Sequence, residues 1–439
     1  MRLTVNDILR SGVEARLPVG SPDTEVEGAS VDSREVVPGS LFVGIRGEMA
    51  DGGQHAPDAL RDGAAAAVVG ESAWRWIEGE AQAMRRPVVV APDPAAVLQA
   101  AGRIALERAG AKVVGITGAT GKTTTKDILV AMLAAAGVAV HGTPGNRNTE
   151  IGVPMSLMAL PEGCEVAVIE MGMRGTGQIA ELARLAPPQV ACITAIGPVH
   201  LELLGTVEAV AAAKAEVLQA LAPGGVAVVP DDEPLLEPHL AGLDPGVRVI
   251  RFAAVPDIDL NLSLSKAWEL RNAAAALACC RALDAVPPEG ARIEVPLSAL
   301  RGQERPLPGG GVLIEDCYNA NPLAMRAALA DLAAREGRRV AVLGDMMELG
   351  PEEERHHREV GAAAAAAGID LVVAVGERAA GYVAGADGVE SVHLATVEEA
   401  VEAVPALIAP GDAVLLKGSR SMALERVGAV LAPGAGAGA

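Results

Sequence analysis

The chain has 439 residues, half of them hydrophobic, and a formal net charge of −20. This length predicts two to four globular domains. The acidic excess argues against nucleic acid as a partner, because a phosphate backbone needs a broad basic surface. No charged start followed by a long apolar segment begins the chain, so we expect a soluble, cytoplasmic protein that does not insert into a membrane. We also expect a monomer.

The first hundred or so residues alternate short β-rich runs with turn signals. Residues 41–45 and 66–69 are such runs, and Pro38-Gly39 is one of the turns. A helical pattern from residue 93 to 108 follows. We therefore predict a small N-terminal α/β domain over residues 1–108.

Residues 115–125 read Gly-Ile-Thr-Gly-Ala-Thr-Gly-Lys-Thr-Thr-Thr between an apolar run and a helical pattern. Such a loop binds phosphate, because glycines let backbone N–H groups point at oxyanions and the helix start adds its positive dipole end. Lys122 would reach the outer phosphates, and the Thr123 hydroxyl would bind Mg²⁺. The same nucleotide site would include Gly118, Gly121 and Thr124. Glycine at 115 stands one residue earlier than in the strict phosphate-loop pattern, so a simple strand-to-helix turn is the alternative.

Short apolar strands alternate with amphipathic helices over residues 109–300, which predicts a largely parallel sheet covered on both faces. Glu170 ends the strand at 166–169, and His200 follows the next strand. Both side chains should emerge at the sheet edge that carries the glycine-rich loop, where Glu170 would bind Mg²⁺. Structural roles for both residues are the alternative. Residues 245–265 show no clear periodicity.

Lysine is scarce in this chain, and arginine outnumbers it about fivefold. The few lysines that are present are therefore expected where a compact, deprotonatable amine is needed. Lys122 and Lys214 are two of the six. The alternative is that a biased genome left these six lysines at random positions. For Lys214 in particular, the alternative is a solvated position on the surface.

The last third, residues 301–439, contains a further set of βα units and predicts a second doubly wound sheet with ligands at the carboxyl ends of its strands. Arg301 lies near the domain junction, where it would clamp a phosphate or simply be surface charge. A polar cluster, Asp-Cys-Tyr-Asn-Ala-Asn-Pro, occupies residues 316–322 after one strand, and Lys417 ends another. Residues 432–439 are of low complexity and are expected to be disordered.

Several of these strings resemble the Mur ligases, and the resemblance covers nearly the whole chain. They are residues 117–125, 316–322, 343–350 and 417–420, together with Asp32-Ser33-Arg34 near the start. The resemblance implies three α/β domains. They are a small N-terminal substrate domain, a central P-loop-type ATPase domain with a parallel sheet, and a C-terminal Rossmann-like domain that closes over ATP.

The resemblance also implies ATP and two Mg²⁺ ions as cofactors. Lys122 would hold the β- and γ-phosphates, and Thr123, Glu170 and His200 would serve magnesium. Lys214 matches the family lysine that reacts with CO₂ to form a carbamate ligand for the second Mg²⁺. Lys122, Lys214, His200 and Arg301 would therefore form the catalytic set.

The remaining roles follow by the same position-by-position comparison. Asn272 and Asp316 would contact the adenine and the ribose of ATP, and Arg301 would contact the γ-phosphate. Ser33 and Arg34 would bind the uridine diphosphate part of the substrate. Three further residues would contact the substrates: Asn319, Asn321 and Lys417. The family string Gly-x-His-x-Val-x-Asn, which precedes the adenine-side helix, reads Lys-Ala-Trp-Glu-Leu-Arg-Asn at residues 266–272.

Within the family, the strings Tyr-Asn-Ala-Asn-Pro and Leu-Gly-Asp-Met-Met-Glu-Leu-Gly resemble one branch. That branch joins D-alanyl-D-alanine to UDP-N-acetylmuramoyl-tripeptide through an acyl phosphate in peptidoglycan precursor synthesis. Two alternatives stay open: a sibling ligase that adds a diamino acid, and a nucleotide-binding regulatory protein that no longer catalyses. The third residue of the tripeptide, diaminopimelate or lysine, is not determined by the sequence.

Overall fold

The structure, a computed structural model, describes residues 1–47, 50–257 and 260–433. Of the tail expected to be disordered, residues 434–439 lie outside this part. Within the described residues, no helix combines the length and apolar character needed to cross a membrane.

The N-terminal unit is a small α/β layer. Its strands are β1 (Arg2–Thr4), β2 (Arg16–Val19), β3 (Glu25–Glu27), β4 (Ala29–Ser30), β5 (Leu41–Val43), β6 (Ala66–Val69) and β7 (Val88–Val90). Its helices are α1 (Val5–Leu9), α2 (Ala56–Arg61), α3 (Glu71–Met84) and α4 (Pro94–Ala109). Five strands form a sheet in the order β2-β7-β6-β5-β4, and β1 pairs with β3. Asp93 caps α4 by accepting backbone hydrogen bonds, and Gly110 ends it in the left-handed conformation.

The middle unit carries the largest parallel sheet. Its strands are β8 (Lys112–Thr117), β9 (Val140–Gly142), β10 (Val166–Glu170), β11 (Val190–Ile193), β12 (Val226–Pro230), β13 (Arg248–Phe252), β14 (Asn261–Leu262) and β15 (Arg292–Ile293). Its helices are α5 (Lys122–Ala135), α6 (Gly152–Met158), α7 (Gln178–Leu185), α8 (Leu201–Leu204), α9 (Val207–Gln219), α10 (Glu237–Ala241) and α11 (Ala267–Ala282). The sheet order is β13-β12-β11-β8-β10-β9, and every pairing in it is parallel.

Successive side chains of the middle strands enter two different cores, as expected for a sheet covered on both faces. Val113 of β8 packs in the core that includes α7 and α9, whereas Val114 packs in the core that includes α5 and α11. The strand order places β8 in the interior of the sheet. The loop that follows β8 therefore lies at the middle of the carboxyl edge, between the ends of β10 and β11.

The C-terminal unit is a second doubly wound sheet. Its strands are β16 (Gln303–Pro306), β17 (Val312–Glu315), β18 (Arg339–Gly344), β19 (Leu371–Val375), β20 (Glu390–Leu394) and β21 (Ala413–Lys417). Its helices are α12 (Pro322–Ala333), α13 (Glu353–Ala366), α14 (Ala380–Gly385), α15 (Val397–Leu407) and α16 (Glu425–Leu431). The order is β16-β17-β21-β18-β19-β20, with β16 antiparallel at the edge. The predicted fold class is thus confirmed.

Two strands lie in a segment whose sequence shows no clear periodicity. Residues 245–265 contain β13, at the edge of the middle sheet, and β14, which pairs with β15. Four of the five residues of β13 are not buried, because it is the edge strand of its sheet. β13 therefore lacks the alternation of apolar and polar residues by which half-buried strands are recognised in a sequence.

The predicted domain limits 1–108, 109–300 and 301–439 remain predictions. The N-terminal unit packs tightly on the middle unit through α4 and α6. A Cβ atom added to Gly102 of α4 would lie 2.7 Å from the Pro154 Cβ atom of α6. Met155 and Met158 of α6 also belong to the hydrophobic core of the N-terminal unit.

Candidate active site

A cleft of about 1690 Å³ separates the middle and C-terminal units. Its walls include the glycine-rich loop, the ends of β10 and β11, and the loops that follow β17, β18 and β21. Both sheets thus present their carboxyl ends to the same space. This is the position at which ligands bind to open α/β sheets.

The loop between β8 and α5 has the geometry of a phosphate site. Gly121 has φ of 82° directly before α5, and no side chain caps the helix start. A side chain at Gly118, where φ is 153°, would collide with Thr194. The Lys122 ammonium donates a hydrogen bond to the Gly118 carbonyl at 2.8 Å. Burial lowers the pKa of Lys122, and the charge of Arg301 lowers it further, whereas Glu170 opposes the shift.

A hydroxyl and a carboxylate lie beside this loop. The Thr123 hydroxyl donates to one Glu170 oxygen at 2.8 Å, and the Asn148 amide donates to the other at 2.7 Å. Glu170 is only 1% exposed. Among the residues described, no group of three or more histidine, cysteine or acidic side chains would hold a metal. A hydroxyl and a carboxylate oxygen are ligands of the type that Mg²⁺ takes, together with phosphate oxygens and water.

His200 lies at the same edge but faces the C-terminal unit. Its Nδ1 atom lies 2.5 Å from an oxygen of Glu348, and the other oxygen of that carboxylate accepts from Arg174 at 2.7 Å. The hydrogen bond from His200 lowers the pKa of Glu348. Sequence reasoning noted the string that contains Glu348 but not this contact, which joins two distant parts of the chain.

Lys214 is buried in α9 and is 1% exposed. Burial lowers its pKa well below the ordinary value, and the charge of Lys122 adds to that effect. The sequence left a solvated surface lysine as the alternative, and the burial of Lys214 excludes it.

Two side chains of the C-terminal unit reach the phosphate loop. An Arg301 nitrogen donates to the Thr123 hydroxyl at 3.1 Å, and the Asn321 amide donates to the Ala119 carbonyl at 3.3 Å. The Arg301 guanidinium also lies 3.9 Å from the centre of the Tyr318 ring. The two hydrogen bonds join the C-terminal unit to the glycine-rich loop and the start of α5.

Lys417 contacts neighbours within its own unit. Its amine donates to the carboxylate of Asp316 at 2.6 Å and to the backbone oxygens of Asp316 and Asn319 at 3.2 Å each. Lys417 is only 2% exposed. It therefore holds the loop that carries Asp316 and Asn319, and both residues line the cleft.

Asn272 packs directly on the phosphate loop. Its side-chain oxygen accepts from the Thr125 hydroxyl at 3.3 Å, and it lies where a side chain at Gly121 would have to go. Trp268 stands one helical turn earlier on α11 and also lines the cleft. Sequence reasoning gave Trp268 no role, although its i, i+4 spacing from Asn272 predicts a shared helix face.

The structure does not bring Ser33 and Arg34 into this cleft. They lie in a short 3-10 helix of the N-terminal unit, Ser33–Glu35, and the Arg34 side chain is 87% exposed. Hydrogen bonds from Arg34 lower the pKa of Asp32 to about 2.

Three models of the Mur ligase family match successive parts of this chain. The family catalytic domain matches residues 25–106, the middle domain residues 116–267 and the glutamate ligase domain residues 301–420. Two UDP-N-acetylmuramoyl-tripeptide–D-alanyl-D-alanine ligases are similar over most of the length. That of Bacillus subtilis is 32% identical, with 92% of this chain and 93% of the relative covered. That of Synechocystis is 35% identical, with 93% and 92% covered. The chain belongs to the Mur ligase family.

Solved structures agree with this assignment. MurF from Acinetobacter baumannii superposes with a TM-score of 0.83 and 26% identity, over 98% of this chain and 99% of that one. MurF from Thermotoga maritima, solved in complex with ADP, gives a TM-score of 0.76 and 27% identity, over 92% and 97%. The sequence-based assignment to this family is confirmed.

Proposed function

We propose that this Mur ligase joins D-alanyl-D-alanine to UDP-N-acetylmuramoyl-tripeptide at the expense of ATP. The observation that carries the proposal is the phosphate loop with its Thr123–Glu170 pair, contacted by Arg301 from the opposite unit. Relatives named for this reaction match over nine-tenths of the chain. The proposed enzyme works in the cytoplasm as a monomer.

The chemistry requires activation of a carboxylate, which is a poor electrophile. Transfer of the γ-phosphoryl group of ATP to the tripeptide carboxylate gives an acyl phosphate. The amine of the dipeptide then attacks the acyl carbon, an amide bond forms, and inorganic phosphate leaves. In phosphoryl transfer the protein contributes mainly positioning and charge neutralisation.

Each neighbour of the phosphate loop has a place in that reaction. Lys122 and Arg301 are the cations that face the transferring phosphoryl group. Thr123 and Glu170 would hold one Mg²⁺, and His200 with a carbamate on Lys214 would hold the second. Bound there, the two ions would neutralise charge on the phosphate oxygens. Asn272 lies on the adenine side, and Asp316 on the ribose side.

The decisive experiment separates the two chemical steps. With UDP-N-acetylmuramoyl-tripeptide and ATP alone, an acyl phosphate should form and be trapped by hydroxylamine. Addition of D-alanyl-D-alanine should then yield the pentapeptide, for both the diaminopimelate and the lysine tripeptide or for one of them. If product forms with a free diamino acid but not with the dipeptide, the protein is the sibling ligase and this proposal is wrong. Absence of phosphate release in every mixture would favour the regulatory alternative.

Arg34 should bind the uridine diphosphate part of the substrate. We expect Arg34→Gln to raise the KM for the UDP-linked substrate about tenfold or more, since a charge-assisted hydrogen bond to phosphate is lost, with little change in kcat. Steady-state kinetics at saturating ATP measure both constants. Arg86→Gln is the control, because Arg86 is exposed in the same unit. Equal KM values for the two variants would remove Arg34 from the substrate site.

A further inference from the structure

The loop after β18 docks on the middle unit through Glu348. One carboxylate oxygen contacts the His200 Nδ1 atom at 2.5 Å, and the other accepts from Arg174 at 2.7 Å. The Glu348 carbonyl also accepts from the Glu202 backbone at 3.3 Å. One residue of the C-terminal unit therefore makes three polar contacts with the middle unit.

Both partners of the short contact have unusual backbones. Glu348 has φ of 64° and His200 has φ of 54°, in the left-handed region that non-glycine residues rarely adopt. Such conformations persist only where the surrounding structure holds them, and they concentrate at functional sites. Here two of them meet across a domain interface.

The contact fixes the chemistry of the imidazole. An ionised carboxylate only accepts hydrogen bonds, so the His200 Nδ1 atom must carry a proton. Whenever the ring is neutral, its lone pair is then on Nε2. A carboxylate behind a histidine is the usual means by which proteins orient an imidazole that binds a metal.

We propose that Glu348 is a positioning residue that orients His200 when the C-terminal unit closes, so that closure and completion of the magnesium site are a single event. The inference rests on the proposed function, in which His200 serves magnesium. Glu348 contacts neither nucleotide nor metal in this role and acts only through the imidazole.

The competing explanation is that Glu348 only holds the two units together, through its ion pair with Arg174. Arg174 is 73% exposed, whereas the His200 side chain is 22% exposed. Exposed ion pairs contribute little to the stability of a contact. The partly buried histidine contact should therefore dominate, and the Arg174→Gln variant separates the two explanations.

The kinetic test compares three full-length variants. Glu348→Gln keeps the size of the side chain but can either accept from or donate to the imidazole, so it no longer selects one tautomer. We expect kcat to fall roughly 10- to 100-fold, with a higher Mg²⁺ concentration needed for half-maximal phosphate release and a nearly unchanged KM for ATP. Arg174→Gln should lose far less. Glu352→Gln is the matched control, because Glu352 pairs with Arg355 inside the C-terminal unit.

A spectroscopic readout tests the positioning itself. Nitrogen-15 NMR of histidine-labelled protein, recorded in EDTA with an ATP analogue, reports which His200 nitrogen carries the proton, and His200→Gln assigns the signal. Wild-type protein should show protonated Nδ1, more strongly with the nucleotide than without it, and Glu348→Gln should lose this preference. An identical His200 signal in the two proteins, or an equal kinetic loss in Arg174→Gln, would overturn the proposal. Neither the NMR signal nor hydroxylamine trapping of the acyl phosphate depends on the acceptor amine, so failure of the ligase reaction would be seen separately.

Discussion

Lys122→Ala should lower the rate of phosphate release by at least about 10²-fold, because it removes a cation that faces the transferring phosphoryl group. The kcat measured with saturating substrates is the appropriate quantity, since charge stabilisation in the transition state appears there. The loss should be similar for acyl phosphate formation and for complete ligation. Both reactions depend on the same first step.

The fold should survive this substitution. Within the described parts of the chain, the Lys122 amine donates one hydrogen bond, to the Gly118 carbonyl, and burial disfavours its charged form. Lys112→Ala is the matched control, because Lys112 begins the same strand β8 and is exposed. A thermal melt near that of the wild type, with control activity intact, would assign the loss to chemistry. Near-normal phosphate release from a folded Lys122→Ala protein would refute the phosphate-loop assignment.

Lys214→Ala should be nearly inactive, and a small carboxylate such as acetate should restore part of the activity. The reason is that the proposed ligand is a carbamate, formed when the neutral amine attacks CO₂ and a proton is released. Burial keeps the pKa of Lys214 well below the ordinary value, so the amine is neutral over a wider pH range than a surface lysine. Arginine cannot form this group and would repel Mg²⁺.

Two further variants of Lys214 and carbon-13 labelling test whether the carbamate forms. Lys214→Arg should be inactive despite its positive charge, and full activity in this variant would exclude the carbamate. Lys214→Met fills the same buried space without an amine, so it should be inactive yet at least as stable as the wild type. Carbon-13 NMR with labelled bicarbonate should show a carbamate signal in the wild type alone. If the wild type shows no such signal and its rate is indifferent to CO₂ removal, the second magnesium must have another ligand.

The sequence pattern predicted that several functional groups follow the ends of neighbouring strands. The glycine-rich loop, Glu170 and His200 each follow a short apolar strand, and parallel strands end at one edge of their sheet. The same local logic found α4 to within one residue at each end. It failed for β13, where an exposed edge strand carries no hydrophobic alternation.

By itself the sequence determined the family, the class of fold and the functional groups that the chain offers to a nucleotide. These depend on contiguous strings and on strand and helix periods, which are local properties. Only the tertiary structure decided which groups meet across the cleft. Arg301 contacts Thr123 over a separation of 178 residues, and Glu348 contacts His200 over 148. Such contacts depend on how two separately folded sheets pack together, and no local pattern specifies that packing.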